Sequence, residues 1–142
     1  MSEYSFIPVQ TVANDGNVFF ANGGRACRKG FVSHRDNSGL FLLRGITNQS
    51  RAVYRVTYNA NIAIATGGTV EPIALALTLN GEVLGNTVST VTPAAIGDFF
   101  AASGTTFIDV PCGCCVTVAL ANESNTTAID VSNANIVIDR VA

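Results

Sequence analysis

Charge is what this sequence has least of. Asp, Glu, Lys and Arg make up only 13% of its 142 residues, about half the share of an ordinary soluble domain. Eight basic residues against ten acidic ones leave a net charge of −2. The basic residues are spread thinly and form no stripe that could follow a phosphate backbone, which excludes nucleic-acid binding. Histidine occurs once, at His34, so no His-based metal cluster can form within one chain. Ser33 cannot serve as its nucleophile, because neighbours on a strand point to opposite faces. No apolar run approaches the roughly 18 residues of a membrane-spanning helix. The opening MSEYSFIPVQ lacks a basic segment followed by an apolar one, so the expectation is synthesis in a cytoplasm without a secretory signal. The Gly-Gly pairs at 23–24 and 67–68 are not followed by Lys and Ser or Thr, so neither is a phosphate loop. Asp98, Asp109, Asp130 and Asp139 are scattered, and the strand aspartates suit pairing with Arg51, Arg55 or Arg140 better than paired acid–base chemistry.

What the chain does have is 48% apolar residues, arranged in short alternating runs between Gly, Asn, Ser and Pro breaks. The alternation is clearest in Ala52 to Ile64, where Tyr54, Val56 and Tyr58 share one face and Arg55, Thr57 and Asn59 the other. In PIALALTLNG, Ile73, Leu75, Leu77 and Leu79 face one way and Ala74, Ala76 and Thr78 the other. Asn80-Gly81 then predicts a tight hairpin, since both residues tolerate positive φ. From Phe107 to Val141 three more strand-like runs follow, separated by CGC, ESNTT and SNA. Only Thr92 to Phe100 holds a candidate helical turn, and its glycine favours a loop crossing one end of the fold. Eight to ten such strands predict an all-β antiparallel sandwich of the jelly-roll type. Residues 1–16, broken by Pro8 and by Asn14-Asp15-Gly16, read as an arm, and 17–142 as the jelly-roll domain.

The sides of the 73–79 and 115–121 strands that carry Ala, Thr and Cys lack the Lys, Glu or Arg of a solvated face. That composition predicts a surface that meets other subunits. Cys27 stands alone, while Cys112, Cys114 and Cys115 crowd into PCGCC. A four-thiolate zinc site needs a spaced pair from each of two loops, and Cys114 next to Cys115 does not provide one. The four cysteines are therefore read as disulfide partners or as buried thiols. Phe99 and Phe100, followed by Ala-Ala-Ser-Gly, are the candidate contacts of a binding loop, or else a plug over one end of the barrel.

The closing segment FIDVPCGCCVTVALANESNTTAIDVSNANIVIDRVA resembles the end of the jelly-roll domains related to tumour necrosis factor and complement C1q. It is most similar to the compact versions in bacterial spore-surface and bacteriophage structural proteins. IALALTLNGEVLGNTVSTVTPAA resembles their inner hairpin. The resemblance covers most of residues 17–142 and rests on pattern. It implies a homotrimer whose last strand lies near the threefold axis. It implies a non-enzymatic role without cofactor, as a capsid decoration or fibre head in a virion. The alternatives are a glycan or receptor binding module, or a self-assembling filament subunit at a bacterial or spore surface. The chain has no collagen-like stalk, and this fold class does not require four cysteines.

Overall fold

The computed structural model describes residues 2–21, 31–45 and 50–142. Among them are eleven strands: β1 (Ser2–Phe6), β2 (Gln10–Val12), β3 (Val32–His34), β4 (Phe41–Arg44), β5 (Arg51–Ile64), β6 (Ile73–Leu79), β7 (Glu82–Val83), β8 (Ser89–Val91), β9 (Phe100–Pro111), β10 (Cys115–Asn122) and β11 (Ile129–Arg140). One short 3-10 turn spans Gly85–Thr87. The Thr92 to Phe100 passage holds no helix.

Two sheets face each other. In the first, β1 and β2 both pair with β11, and the order continues through β5 to the edge strand β9. In the second the order is β3-β4-β10-β6, with β7 and β8 both on β6. Every one of these pairings is antiparallel. The reason is visible in the alternation: Ala52, Tyr54, Val56, Tyr58, Ala60 and Ile62 are all buried, and each is separated from the next by a residue that faces outward. Burying six such side chains on one strand contributes the order of 10 kcal/mol of transfer free energy, against which the backbone ordering of the same strand must be set. A one-residue slip would turn that whole set to solvent, so the register is tightly specified.

Residues 2–12 do not project from the domain. Tyr4 is buried, Ser2 to Phe6 pair with Ile138 to Ala134, and Gln10 to Val12 pair with Val131 to Ile129. Pro8 interrupts the pairing between the two strands, and Asn133, at φ 53°, donates its N–H to the Ile7 carbonyl there. Farther on, the Gln10 side chain donates to the Phe19 carbonyl and accepts the Phe19 N–H, both at 2.9 Å, as a backbone strand would. The Val18-Phe19-Phe20 run forms one isolated bridge, at Phe20, in place of a strand, with further bridges beside it at Asn17 and Ala21.

Asn80 and Gly81 have φ of 51° and 88°, as the hairpin reading requires. Between the sheets, Tyr58 is fully buried and its hydroxyl lies 2.6 Å from the Thr87 carbonyl and 3.2 Å from that of Leu75. Burial pushes its phenol up to about 12, so it stays a donor at any physiological pH. The Thr87 hydroxyl in turn accepts the Leu77 N–H and donates to the Leu84 carbonyl, fixing the 3-10 turn on β6. Gly104 is required opposite this ring, since a Cβ there would stand 2.8 Å from Tyr58 Cε1.

Candidate functional site: the outer face of the first sheet

The side of β11-β5-β9 that faces away from the core is laid out in rows by the strand register. Asp139, Arg55 and Phe107 form one row, followed by Val137, Thr57 and Thr105, then Asn135, Asn59 and Ser103. Past the irregularity at Asn133 come Ser132, Asn61 and Ala101. On β5 and β9 charge is confined to one end, where Arg51 pairs with Asp109 at 3.2 Å and Arg55 with Asp139 at 3.1 Å, while β11 carries Asp130 at the other end and β1 carries Glu3 beside Val137. Both pairs are largely exposed and contribute at most about 1 kcal/mol each. From there to the far end of β5 and β9 the face carries only hydroxyl, amide and methyl groups. The Thr57 and Thr105 hydroxyls hydrogen-bond to each other at 2.9 Å. Beside Arg55 stands Phe107, 64% exposed. In FIDVP, Ile108 and Val110 take the buried face, and parity alone leaves Phe107 and Asp109 outside. That signal was present in the sequence but is easily missed when the run is read only as apolar.

The small-residue face expected to meet another subunit is on the second sheet, and the structure recesses it. Ala74, Ala76, Ala119 and Ala121 are buried within the chain although they lie on the side away from the core. Thr78, Thr117, Ala119 and Ala121 form the floor of a groove of about 370 Å³, whose sides include Asp15, Leu40, Val83 and Glu123. Small residues are needed here because these flanking groups stand over them. Burial, and then the neighbouring Asp15 carboxylate, raise the Glu123 carboxyl above its ordinary range.

Cys112, Cys114 and Cys115 are exposed, so the buried-thiol alternative does not hold for them. The turn that carries them has its backbone tied down and its side chains pointing to water. Cys27 lies outside the described residues. Among the described residues no group of three His, Cys, Asp or Glu side chains could hold a metal, and no helix is long and apolar enough to cross a membrane. Phe99 and Phe100 are 46% and 42% exposed, so they do not plug the end of the sandwich. His34 ends β3, donates from Nε2 to the Ser38 carbonyl at 2.7 Å and stacks on Phe41 at 4.4 Å. Asp130 accepts from the Thr11 hydroxyl at 2.7 Å. These groups are spread over both sheets and do not converge.

Glu71 does structural work near the far end. Its carboxylate accepts the Thr127 N–H at 2.8 Å, the Thr126 N–H at 3.0 Å and the Thr126 hydroxyl at 3.1 Å. The Thr126 N–H contributes most to holding it below the ordinary carboxylate range. A lowered folded pKa stabilises the fold above the unfolded value and loses that contribution as pH falls through the folded one. Wild type is therefore expected to exceed Glu71→Gln in stability at neutral pH, with the gap closing in acid below about pH 4. Denaturant midpoints measured across that range check it; a gap that stays constant with pH would contradict the assignment.

No known protein family and no curated protein matches the sequence. Solved structures do. Murine APRIL at pH 5.0 superposes with a TM-score of 0.67 at 9% identity, over 99% of this chain and 98% of that one. The globular domain of zebrafish complement 1qA gives 0.60 at 12% identity over 96% of each chain. Eiger TNF from S. frugiperda gives 0.60 at 10% identity, over 99% and 92%. The fold is the TNF/C1q-like jelly roll. At these identities the likeness concerns the path of the chain: two sheets, with β11 central in the first. The superposition with murine APRIL at pH 5.0 covers 99% of this chain, and β1 and β2, within the segment read from sequence as an arm, pair with β11 in the first sheet.

Proposed function

We propose that the protein is a non-enzymatic structural subunit that works as a homotrimer, closed through the outer face of the first sheet. It decorates a capsid or heads a fibre in a phage or prophage virion. The observation that carries the reading is the uncharged stretch of β5 and β9, from Thr57 and Thr105 to Asn61 and Ala101, bordered by the exposed Phe107. A face meant for water alone carries Lys and Glu, whereas one that meets a copy of itself must leave few charges to desolvate. β9 is also a twelve-residue edge strand, and long edges are normally covered. The virion setting is supported by the resemblance of the closing strands to spore-surface and phage jelly rolls.

Native mass measurement tests the association. Wild type is expected at three times the 14.8 kDa chain mass, and Phe107→Asp at the mass of a single chain with its fold intact. Wild type that is monomeric at micromolar concentration would sink the proposal.

A second reading, binding of a glycan or receptor, is favoured by Phe99 and Phe100 standing exposed near Ile96 in one stretch of chain. Phe99→Ala is expected to abolish binding on a glycan array while leaving the circular dichroism spectrum unchanged. Absence of wild-type binding across a broad array counts against this reading.

A further inference from the structure

Asp15 and Glu123 line the same groove over the second sheet, and the backbone holds both in place. Asn17 forms an antiparallel bridge with Ala121, and Asn122 donates its N–H to the Gly16 carbonyl at 2.9 Å. Asp15 donates its N–H to the Asn122 carbonyl at 3.0 Å. Asp15 and Gly16 therefore face the single residue Asn122, which is a β-bulge, and Asp15 comes to stand beside Glu123. Asp15 takes the left-handed φ of 62°, which Asp tolerates better than most residues. Gly16 cannot yield, since a Cβ there would sit 2.9 Å from the Ala13 carbonyl oxygen. Glu123 donates its N–H to the Ala74 carbonyl at 3.0 Å. The fully buried Asn122 side chain donates to the Val12 and Thr127 carbonyls at 3.1 Å and accepts the Ser124 N–H at 3.0 Å. The two carboxyls thus meet where the end of β2 in the first sheet is tied to the end of β10 in the second.

Like charges placed opposite each other across a strand pair destabilise it. Among the described residues no cation lines this groove, and Asp15 and Glu123 are the only titratable groups that do. Glu82, between the lining residues Gly81 and Val83, is another acid. The Glu71 carboxylate is engaged with Thr126 and Thr127. His34 and Arg35 line a separate recess that shares only Leu40 and Thr117 with the groove.

We propose that Asp15 and Glu123 form an acid-responsive clasp, which shares a proton and tightens the junction of the two sheets in acid and loosens it at neutral pH. Two neighbouring carboxyls resist carrying both charges at once, and the more enclosed one keeps its proton longer. Glu123 is that one, since burial and then the Asp15 carboxylate raise it. A raised folded pKa gives stability that is fully present below the unfolded value and is lost as pH rises through the folded one. The sign is opposite to that of Glu71. The clasp belongs to one chain and does not depend on association between copies.

The experiment follows the Glu123 carboxyl by NMR in the full chain and the Asn122 amide by native-state hydrogen exchange, from pH 3 to pH 8. Wild type is compared with Glu123→Gln and with Asp15→Asn, in which Asn tolerates the same left-handed φ. Glu123 is expected to titrate above the ordinary value of about 4.3, and to move down towards it in Asp15→Asn. At neutral pH the Asn122 amide should open about two- to fivefold more often in wild type than in Glu123→Gln. That ratio should fall to about one below roughly pH 4, where the carboxyl is protonated folded or unfolded. An ordinary Glu123 titration, or one that Asp15→Asn leaves unmoved, would overturn the clasp. So would an opening ratio that stays constant with pH.

Discussion

Gly45→Ala is expected to destabilise the fold by about 3 kcal/mol or more, lowering the melting temperature by roughly 10 °C for a chain of this size. A Cβ at this position would sit 2.1 Å from the Pro111 carbonyl oxygen and 3.2 Å from that of Cys114. Both are backbone atoms of the β9–β10 turn, so no side chain can swing aside. Moving the turn would stretch the Gly45-to-Cys114 hydrogen bond and that from Gly113 to the Gly45 carbonyl, each contributing about 1 kcal/mol. Gly85→Ala is the matched control: nothing lies within 4 Å of its Cβ position and its φ is not positive. Denaturant unfolding should show a large midpoint shift for the first and almost none for the second, with unchanged slopes. Equal midpoints would mean the turn has room that the geometry denies it.

Phe41→Ala should cost a comparable amount, about 3–5 kcal/mol. Phe41 is fully buried and lies at the centre of an aromatic cluster, with ring centroids 4.4 Å from His34, 5.0 Å from Tyr4 and 5.5 Å from Phe20. Tyr4 belongs to β1 in the first sheet, while His34 and Phe41 belong to β3 and β4 in the second. The cluster thus bridges the sheets at β1 and β3, each of which pairs with one other strand among the described residues. Removing the central ring leaves a cavity between β1 and β4, where the two sheets meet. Amide exchange is expected to accelerate more in Ser2–Phe6 than in the central β5. A uniform loss of protection along both strands would contradict this placement.

The features that were legible in the sequence are those where one face is buried and the other wet. Ile73, Leu75 and Leu77 in β6, and Tyr54, Val56 and Tyr58 in β5, all point inward as their alternation predicts. The Asn80-Gly81 reversal was equally legible, because positive φ restricts residue choice. Long-range pairing was not. The segment 1–16 contains a proline and a turn signal, and nothing local in it says that Tyr4 will sit against Phe41 or that Ser2 will pair with Ile138. The first half of β9 was missed for a different reason. Phe100 to Thr106 is mostly Ala, Ser, Gly and Thr, which give little periodic contrast even though Ala102 and Thr106 face the core. Burial of Ala119 and Ala121 on the outer side of the second sheet depends on flanking groups brought in from elsewhere in the chain, and no local pattern encodes that. The candidate site shared this limit: its residues were seen strand by strand, but its rows exist only once β11, β5 and β9 are in register.

The central place of β11 also has a consequence for how the protein comes to be made. It lies between β1 and β5, and β2 pairs with it as well, yet it leaves the ribosome after all of them. Until it arrives, β1 and β2 have no strand to pair with in their sheet, and β5 has β9 alone. β1 and β2 can therefore join the first sheet only in a late step, which for β1 closes a loop from Ser2 to Ile138. Folding dominated by such distant pairings is slow, and the waiting strand edges invite association between nascent chains.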